Sequence, residues 1–237
     1  MTRRFGALPS PPDPRDYTLA RVPGIAIATP PMPGAVPGPI PAPLEQGETG
    51  TCVAQAIVGA ANILWHRKLG RWLFNEASAV DLYVRATGDR TLEMGTYPRL
   101  VLKYAQQVGI LGMDGKRYRI ATYHTLLPSA NPQVDIEQAI GVLCLPVIFG
   151  INWPQGWMGE APSVLPDVTP FDPSAGGHAF YGFRYAEKHP VPGSSTITHP
   201  DDGIMNSWGA LFGNGGWAWA SASALIQRAF DLWTFTI

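Results

Sequence analysis

Apolar positions recur at helical spacing along residues 52 to 69, where Ala54, Ile57, Val58, Ala61, Leu64 and Trp65 form one wide stripe. So broad a stripe predicts a buried helix over Cys52 to Leu69, ended by Gly70, which can take the left-handed conformation of a helix stop. Two shorter helical patterns follow over Ala77 to Arg85 and over Pro98 to Val108. The second is opened by a proline, whose missing N–H is no loss in a first turn. Residues 88 to 96 between them read as loop, and Asp135 to Gly141 predicts a last short helix. Beyond it the chain alternates apolar and small residues in strand-length runs, at 143–151, 178–185, 204–206, 217–220 and 232–237. Helices first and strands later predict an α+β protein of two lobes with a cleft between them.

The first 43 residues follow neither period. Twelve of the 24 prolines lie there, and proline removes donors and restricts its neighbour, so a helix is excluded and extended polyproline-like backbone is the expectation. This predicts an arm over 1–43, wrapping the domain as a surface strap rather than entering it as a pseudosubstrate, or held by a protein partner. The domain then spans 44–237, with a helical lobe over about 44–130 and a β lobe over about 131–237.

Composition narrows the function classes. A chain of 237 residues with 46% hydrophobic residues can bury a core of its own. Its 17 basic and 18 acidic residues nearly cancel, which argues against nucleic acid or an anionic membrane as partner. The apolar run Val142 to Ile151 is ten residues long and contains Pro146, too short to span a bilayer. The basic start Met1-Thr2-Arg3-Arg4 leads into prolines and charges rather than an apolar stretch, so no secretory signal is expected and the predicted location is cytoplasmic, or a virion if the chain is phage-encoded. Two cysteines agree with a reducing compartment. Cys144, inside an apolar run, is expected to be a buried inert thiol.

The chemistry-bearing residues are few. Cys52 opens the first helix, where unsatisfied N–H groups and the helix dipole favour a thiolate. Gln46 lies six residues before it, His178 is 126 residues after it in a strand-like run, and Asn206 is 28 residues further on in Asn206-Ser207-Trp208-Gly209. His66, His124, His189 and His199 lack metal-ligand spacing with one another or with either cysteine, so neither a metal nor a cofactor is expected.

The order Gln46, Cys52, His178, Asn206 resembles the papain family of cysteine peptidases, especially its short bacterial and phage-type members. Asn75-Glu76-Ala77-Ser78, Gly95-Thr96-Tyr97-Pro98, Gly213-Asn214-Gly215-Gly216-Trp217 and Asp231-Leu232-Trp233-Thr234 resemble further family segments, so the likeness covers roughly 44 to 237. It implies an α+β papain-like fold, with a helical first lobe and an antiparallel, β-barrel-like second lobe. The function implied is that of a cysteine endopeptidase, hydrolysing polypeptides through a Cys52 thioester. In that reading His178 is the acid and base, Asn206 orients it, and Gln46 donates to the oxyanion. Trp208 shields the His–Asn pair, and Gly95, Thr96, Tyr97 and Gly177 bind substrate.

The sequence departs from the family at four places. Thr49 stands where the family has a cysteine, Val53 where it has an aromatic residue, and Thr96 where it has a glycine, which implies a narrower cleft. The long His–Asn interval implies an extra loop over Lys188 to Asp202, rich in Pro, Gly and Ser. Pro12-Asp13-Pro14-Arg15-Asp16-Tyr17 resembles the leader of bacterial relatives and not the helical propeptide of lysosomal ones. Two other readings stay open: a cell-wall amidase or transglutaminase-like catalyst on the same superfold, and a catalytically silent structural or binding protein, for example a phage virion or assembly component, whose mark would be an arm lying across Cys52.

Overall fold

The structure, a computed structural model, describes residues 4–19, 34–158, 163–169, 171–190 and 198–237. Helix α1 spans Cys52–Leu69 as its spacing predicts, with Gly70 as its left-handed cap at φ 71°. Every side chain from Cys52 to Leu64 is buried, so α1 is a central helix covered all round rather than an amphipathic surface one. At Gly59 it approaches the sheet so closely that an added Cβ would lie 2.6 Å from the Tyr181 ring.

Helix α2, Glu76–Thr87, starts at a capping box in which Asn75 and Ser78 satisfy each other's N–H groups, and ends at Gly88 with φ 75°. Helix α3, Pro98–Gln107, has its proline in the first turn. Helix α4, Pro132–Glu137, is capped by Asn131 and runs into a π turn at Gln138–Val142. Helix α5, Ala222–Arg228, lies between two strands and lacks a side-chain cap.

The strands are β1 (Gly34–Ala35), β2 (Ile110–Leu111), β3 (Arg117–Tyr118), β4 (Tyr123–Thr125), β5 (Val147–Pro154), β6 (Ser174–Pro190), β7 (Thr198–Met205), β8 (Trp217–Ser221) and β9 (Ala229–Phe235). Strands β2 and β3 form a hairpin of their own, and the rest form one antiparallel sheet in the order β4-β9-β5-β6-β7-β8, with β1 added to β6. The path is open at both ends. Strand β5 carries Val147, Ile148, Phe149, Ile151 and Trp153, all fully buried. It pairs with β6 so that Ile151 faces His178 across the ladder.

Two expectations change here. Residues 188 to 190 and 198 to 202, predicted as loop, belong to the strand pair β6 and β7, while 191 to 197 lie outside the described residues. Cys144 is half-buried rather than buried. Its backbone turns through φ 56° just ahead of Pro146 and β5, which leaves the side chain at the end of the core rather than inside it. Among the described residues no helix is long and apolar enough to cross a membrane.

Candidate active site

Helix α1, which packs along β6 and β5, begins at Cys52. Cys52 is completely buried, and the backbone N–H groups of Ala179, Gly6, Val53 and Cys52 itself are placed to favour its thiolate. Ala179 follows His178 on β6, so the strand that carries the imidazole also brings its next N–H up beside the thiol. Burial outweighs these donors and pushes the thiol up to about 11. An easily ionised cysteine was the expectation from the helix terminus. What reverses it in this state is the exclusion of water, to which the arm contributes where Gly6 packs against Gly50, just ahead of the helix.

His178 and Asn206 come together because β6 and β7 are neighbours: Tyr181 pairs with Met205, the last residue of β7, and Asn206 follows it. His178 Nε2 lies 2.8 Å from Asn206 Oδ1 in a fully buried position. The same oxygen accepts from the Ser207 backbone N–H at 2.8 Å. A backbone N–H can only donate, so it fixes which end of the Asn206 amide is oxygen. Nε2 must then carry a proton, and in the neutral ring Nδ1 is the unprotonated nitrogen. The Trp208 indole stacks on the imidazole at 4.7 Å and Trp153 meets it edge-on at 5.1 Å, which holds the ring plane.

Gln46 is buried beside them. Ser207 Oγ donates to Gln46 Oε1 at 2.6 Å, and the Gln46 backbone N–H donates to the Ser207 carbonyl at 2.9 Å. With its oxygen so engaged, the amide turns Nε2 outward. There it donates to the carbonyls of Thr49, at 2.9 Å, and of Arg4, at 3.0 Å. Ser207 is the residue that motif reading passed over: it lies inside the quoted Asn206–Gly209 segment, yet nothing in spacing alone indicates that it links the asparagine to the glutamine.

The Arg4 carbonyl belongs to the arm, and this corrects the surface-strap expectation for the arm's first stretch. Residues 4 to 10 run through the cleft. Phe5 sets its ring edge-on to His178 and Trp208, at 5.7 and 6.2 Å. Thr96 N–H donates to the Gly6 carbonyl at 2.7 Å, Leu8 N–H to the Thr96 carbonyl at 2.9 Å, and Ala7 N–H to the Gly177 carbonyl at 2.9 Å. The arm thus pairs with both walls. It can do so because Arg4 to Leu8 contain no proline and keep their donors, whereas the prolines begin at Pro9. Glycines make the passage possible: a Cβ on Gly6 would lie 2.2 Å from the Gly50 carbonyl oxygen, one on Gly95 2.4 Å from the Gly6 oxygen, and one on Gly177 2.0 Å from the Ala7 oxygen.

Farther along, Ser10 N–H donates to Asp231 at 2.7 Å and Asp16 pairs with Arg99 at 2.8 Å. Tyr97 is placed differently from Gly95, Thr96 and Gly177: it is the N-cap of α3 and lines a cavity of about 550 Å³ with Asp13, Arg15, Asp16, Tyr17 and Arg99. Among the described residues no cluster of metal-ligating side chains occurs.

No family model matches the sequence, and no curated protein matches it either. Solved structures do match. Xylellain, a cysteine protease from Xylella fastidiosa, aligns over 100% of this chain and 98% of its own with a TM-score of 0.77 and 20% identity. ProCathepsin B S9 from Trypanosoma congolense aligns over 98% of this chain and 85% of its own, with a TM-score of 0.73 and 12% identity. Digestive procathepsin L 3 of Tenebrio molitor larval midgut aligns over 99% of this chain and 76% of its own, with a TM-score of 0.68 and 15% identity. The chain has the papain-like fold.

Proposed function

We propose that this chain is a cysteine peptidase, latent while residues 4 to 10 fill its cleft. The observation that carries the reading is the doubly fixed Asn206 amide, which sets the tautomer of a buried imidazole on the strand whose next residue, Ala179, turns its N–H toward the buried Cys52 thiol. When the arm leaves, water re-enters and the desolvation that holds the thiol neutral is relieved. The Cys52 proton passes to Nδ1 of His178, giving a thiolate and an imidazolium whose Nε2–H stays on Asn206. An extended polypeptide pairs with Thr96 and Gly177 as the arm does now.

The thiolate then adds to a substrate carbonyl carbon, and the new oxyanion accepts from Gln46 Nε2 and the Cys52 N–H. Collapse of this intermediate expels the amine, which takes its proton from His178, and leaves an acyl thioester on Cys52. A water deprotonated by His178 adds to the thioester, and collapse releases the carboxylic acid and returns the proton to sulfur.

Replacing Gln46 with alanine tests the assignment. In a chain whose arm has been dislodged, peptide hydrolysis should fall by about 10²–10³-fold in kcat, while alkylation of Cys52 by iodoacetamide, which builds no oxyanion, should not slow. Equal loss of both would remove Gln46 from the oxyanion role. The arm across Cys52 also favours a second reading, a silent papain-fold scaffold. A dislodged arm that exposes a thiol reacting no faster than a free cysteine, with no hydrolysis of casein, would establish that reading instead.

A further inference from the structure

One of the two walls against which the arm pairs belongs to no sheet. Gly95 and Thr96 end the loop that follows α2, yet Thr96 meets the arm with both its N–H and its carbonyl, which demands a fixed backbone. The same loop steadies the approach to the nucleophile, because Gly50 N–H donates to the Leu92 carbonyl at 2.7 Å. Leu92 does this from a left-handed φ of 62°, unusual for a residue with a side chain. Something must hold this backbone in place.

The loop is wrapped around one carboxylate. Asp89 accepts from Tyr83 Oη at 2.8 Å, from Thr91 N–H at 2.8 Å and Thr91 Oγ1 at 2.6 Å, and from the N–H groups of Glu93 and Met94 at 2.8 and 3.0 Å. Three of the five donors are backbone groups of the loop. These bonds hold the carboxyl well below the usual carboxylate range, that from the Thr91 hydroxyl foremost. The placement does not serve α2, since a negative charge just past a helix C-terminus opposes the dipole. No hydrogen bond joins Asp89 to the arm among the described residues, so its effect on the cleft runs through Gly95 and Thr96.

We infer that Asp89 is a positioning residue of the cleft, the anion that shapes the 89–96 loop so that Thr96 can pair with an extended peptide, whether the arm or a substrate. The substrate half of this inference rests on the peptidase reading; the arm half does not. An amide in place of the carboxylate turns two N–H donors toward a cage built of donors, and the loop must open.

The test is Asp89→Asn in the full chain, read by peptide-resolved hydrogen exchange and by the rate of Cys52 alkylation. Exchange should rise in 4–10 and 89–96 but not in α1 or β5, and alkylation should quicken by about tenfold as the docked arm loses its wall. With Gly6→Val added to dislodge the arm, KM should rise for a long peptide that reaches Thr96 while kcat holds. Thr91→Val, which removes one donor and keeps the charge, should move each readout in the same direction by less, and it carries the test if Asp89→Asn does not fold. Unchanged arm exchange and alkylation would overturn the inference, as would exchange raised evenly through β5 and β6. Absence of hydrolysis in every variant would count against the peptidase reading and leave the arm result intact.

Discussion

Gly6→Val should unlatch Cys52 and raise its alkylation rate at neutral pH by about one to two orders of magnitude. The physical basis is the lack of room at this position. A Cβ there would lie 2.2 Å from the Gly50 carbonyl oxygen and 2.7 Å from Gly50 C and Cα, all backbone atoms that no rotamer change can move. Overpacking of a rigid site costs roughly 1–3 kcal/mol, and moving Gly6 out also breaks the bond from Thr96 N–H to its carbonyl. If alkylation proceeds through a minor arm-open state, the rate follows the population of that state, and each ~1.4 kcal/mol lost from docking multiplies it about tenfold. Peptide mapping after iodoacetamide treatment separates Cys52 from the half-buried Cys144. Pro11→Ala, at an exposed arm residue, is the control. A Gly6→Val rate equal to the control would mean that the arm does not gate the thiol.

Once the arm is dislodged, His178→Gln should remove the chemistry without closing the cleft. General acid–base transfer contributes about 10²–10⁴-fold to such reactions, so hydrolysis of a peptide substrate should fall by that factor. Alkylation of Cys52 at pH 6 should also drop to that of an unassisted thiol, whose ordinary pKa is about 8.5. The pH profile is the sharper measure: with His178 present the alkylation rate should hold to well below neutral pH, and without it the rate should rise only as the solution approaches the free-thiol range. A profile indifferent to His178 would leave Cys52 an ordinary, merely accessible cysteine.

Much of this architecture can be read along the chain, and particular residues show why. Helix α1 is legible because a stripe of apolar residues ends at a glycine that can turn left-handed. The strands are legible where a run has to be apolar on both faces, as in β5. Helix α5 is not, since Ala222 to Arg228 is short, lacks a cap and takes its form from packing against α4, β5, β7 and β8. The hairpin of β6 and β7 is hidden by the Pro, Gly and Ser content of 188 to 202, which reads as loop when the pairing partner cannot be seen. Gln46, Cys52, His178 and Asn206 could be nominated from their order, because residues of complementary chemistry in that sequence are rare by chance.

The path of the arm could not be read in the same way. Proline content predicts extended backbone but says nothing of where that backbone lies, and the decisive fit comes from Gly6, Gly50, Gly95 and Gly177, which belong to four separate segments. Asp89 was silent for a related reason. Its donors are mostly backbone N–H groups, which every residue has and no sequence pattern displays.

Ser207 gives the site an all-or-none character. Its N–H fixes the Asn206 amide, its hydroxyl turns the Gln46 amide, and its carbonyl holds the Gln46 backbone. His178 and Gln46, the proposed base and oxyanion donor, therefore share one mechanical reference point, although they lie far apart in the sequence. A distortion that drew residue 46 away from residue 207 would release the glutamine and disturb the asparagine in the same movement. Loosening of the cleft should extinguish turnover abruptly rather than degrade it by stages, and a transplant of the four reactive residues to another scaffold would fail without the serine that keeps them in step.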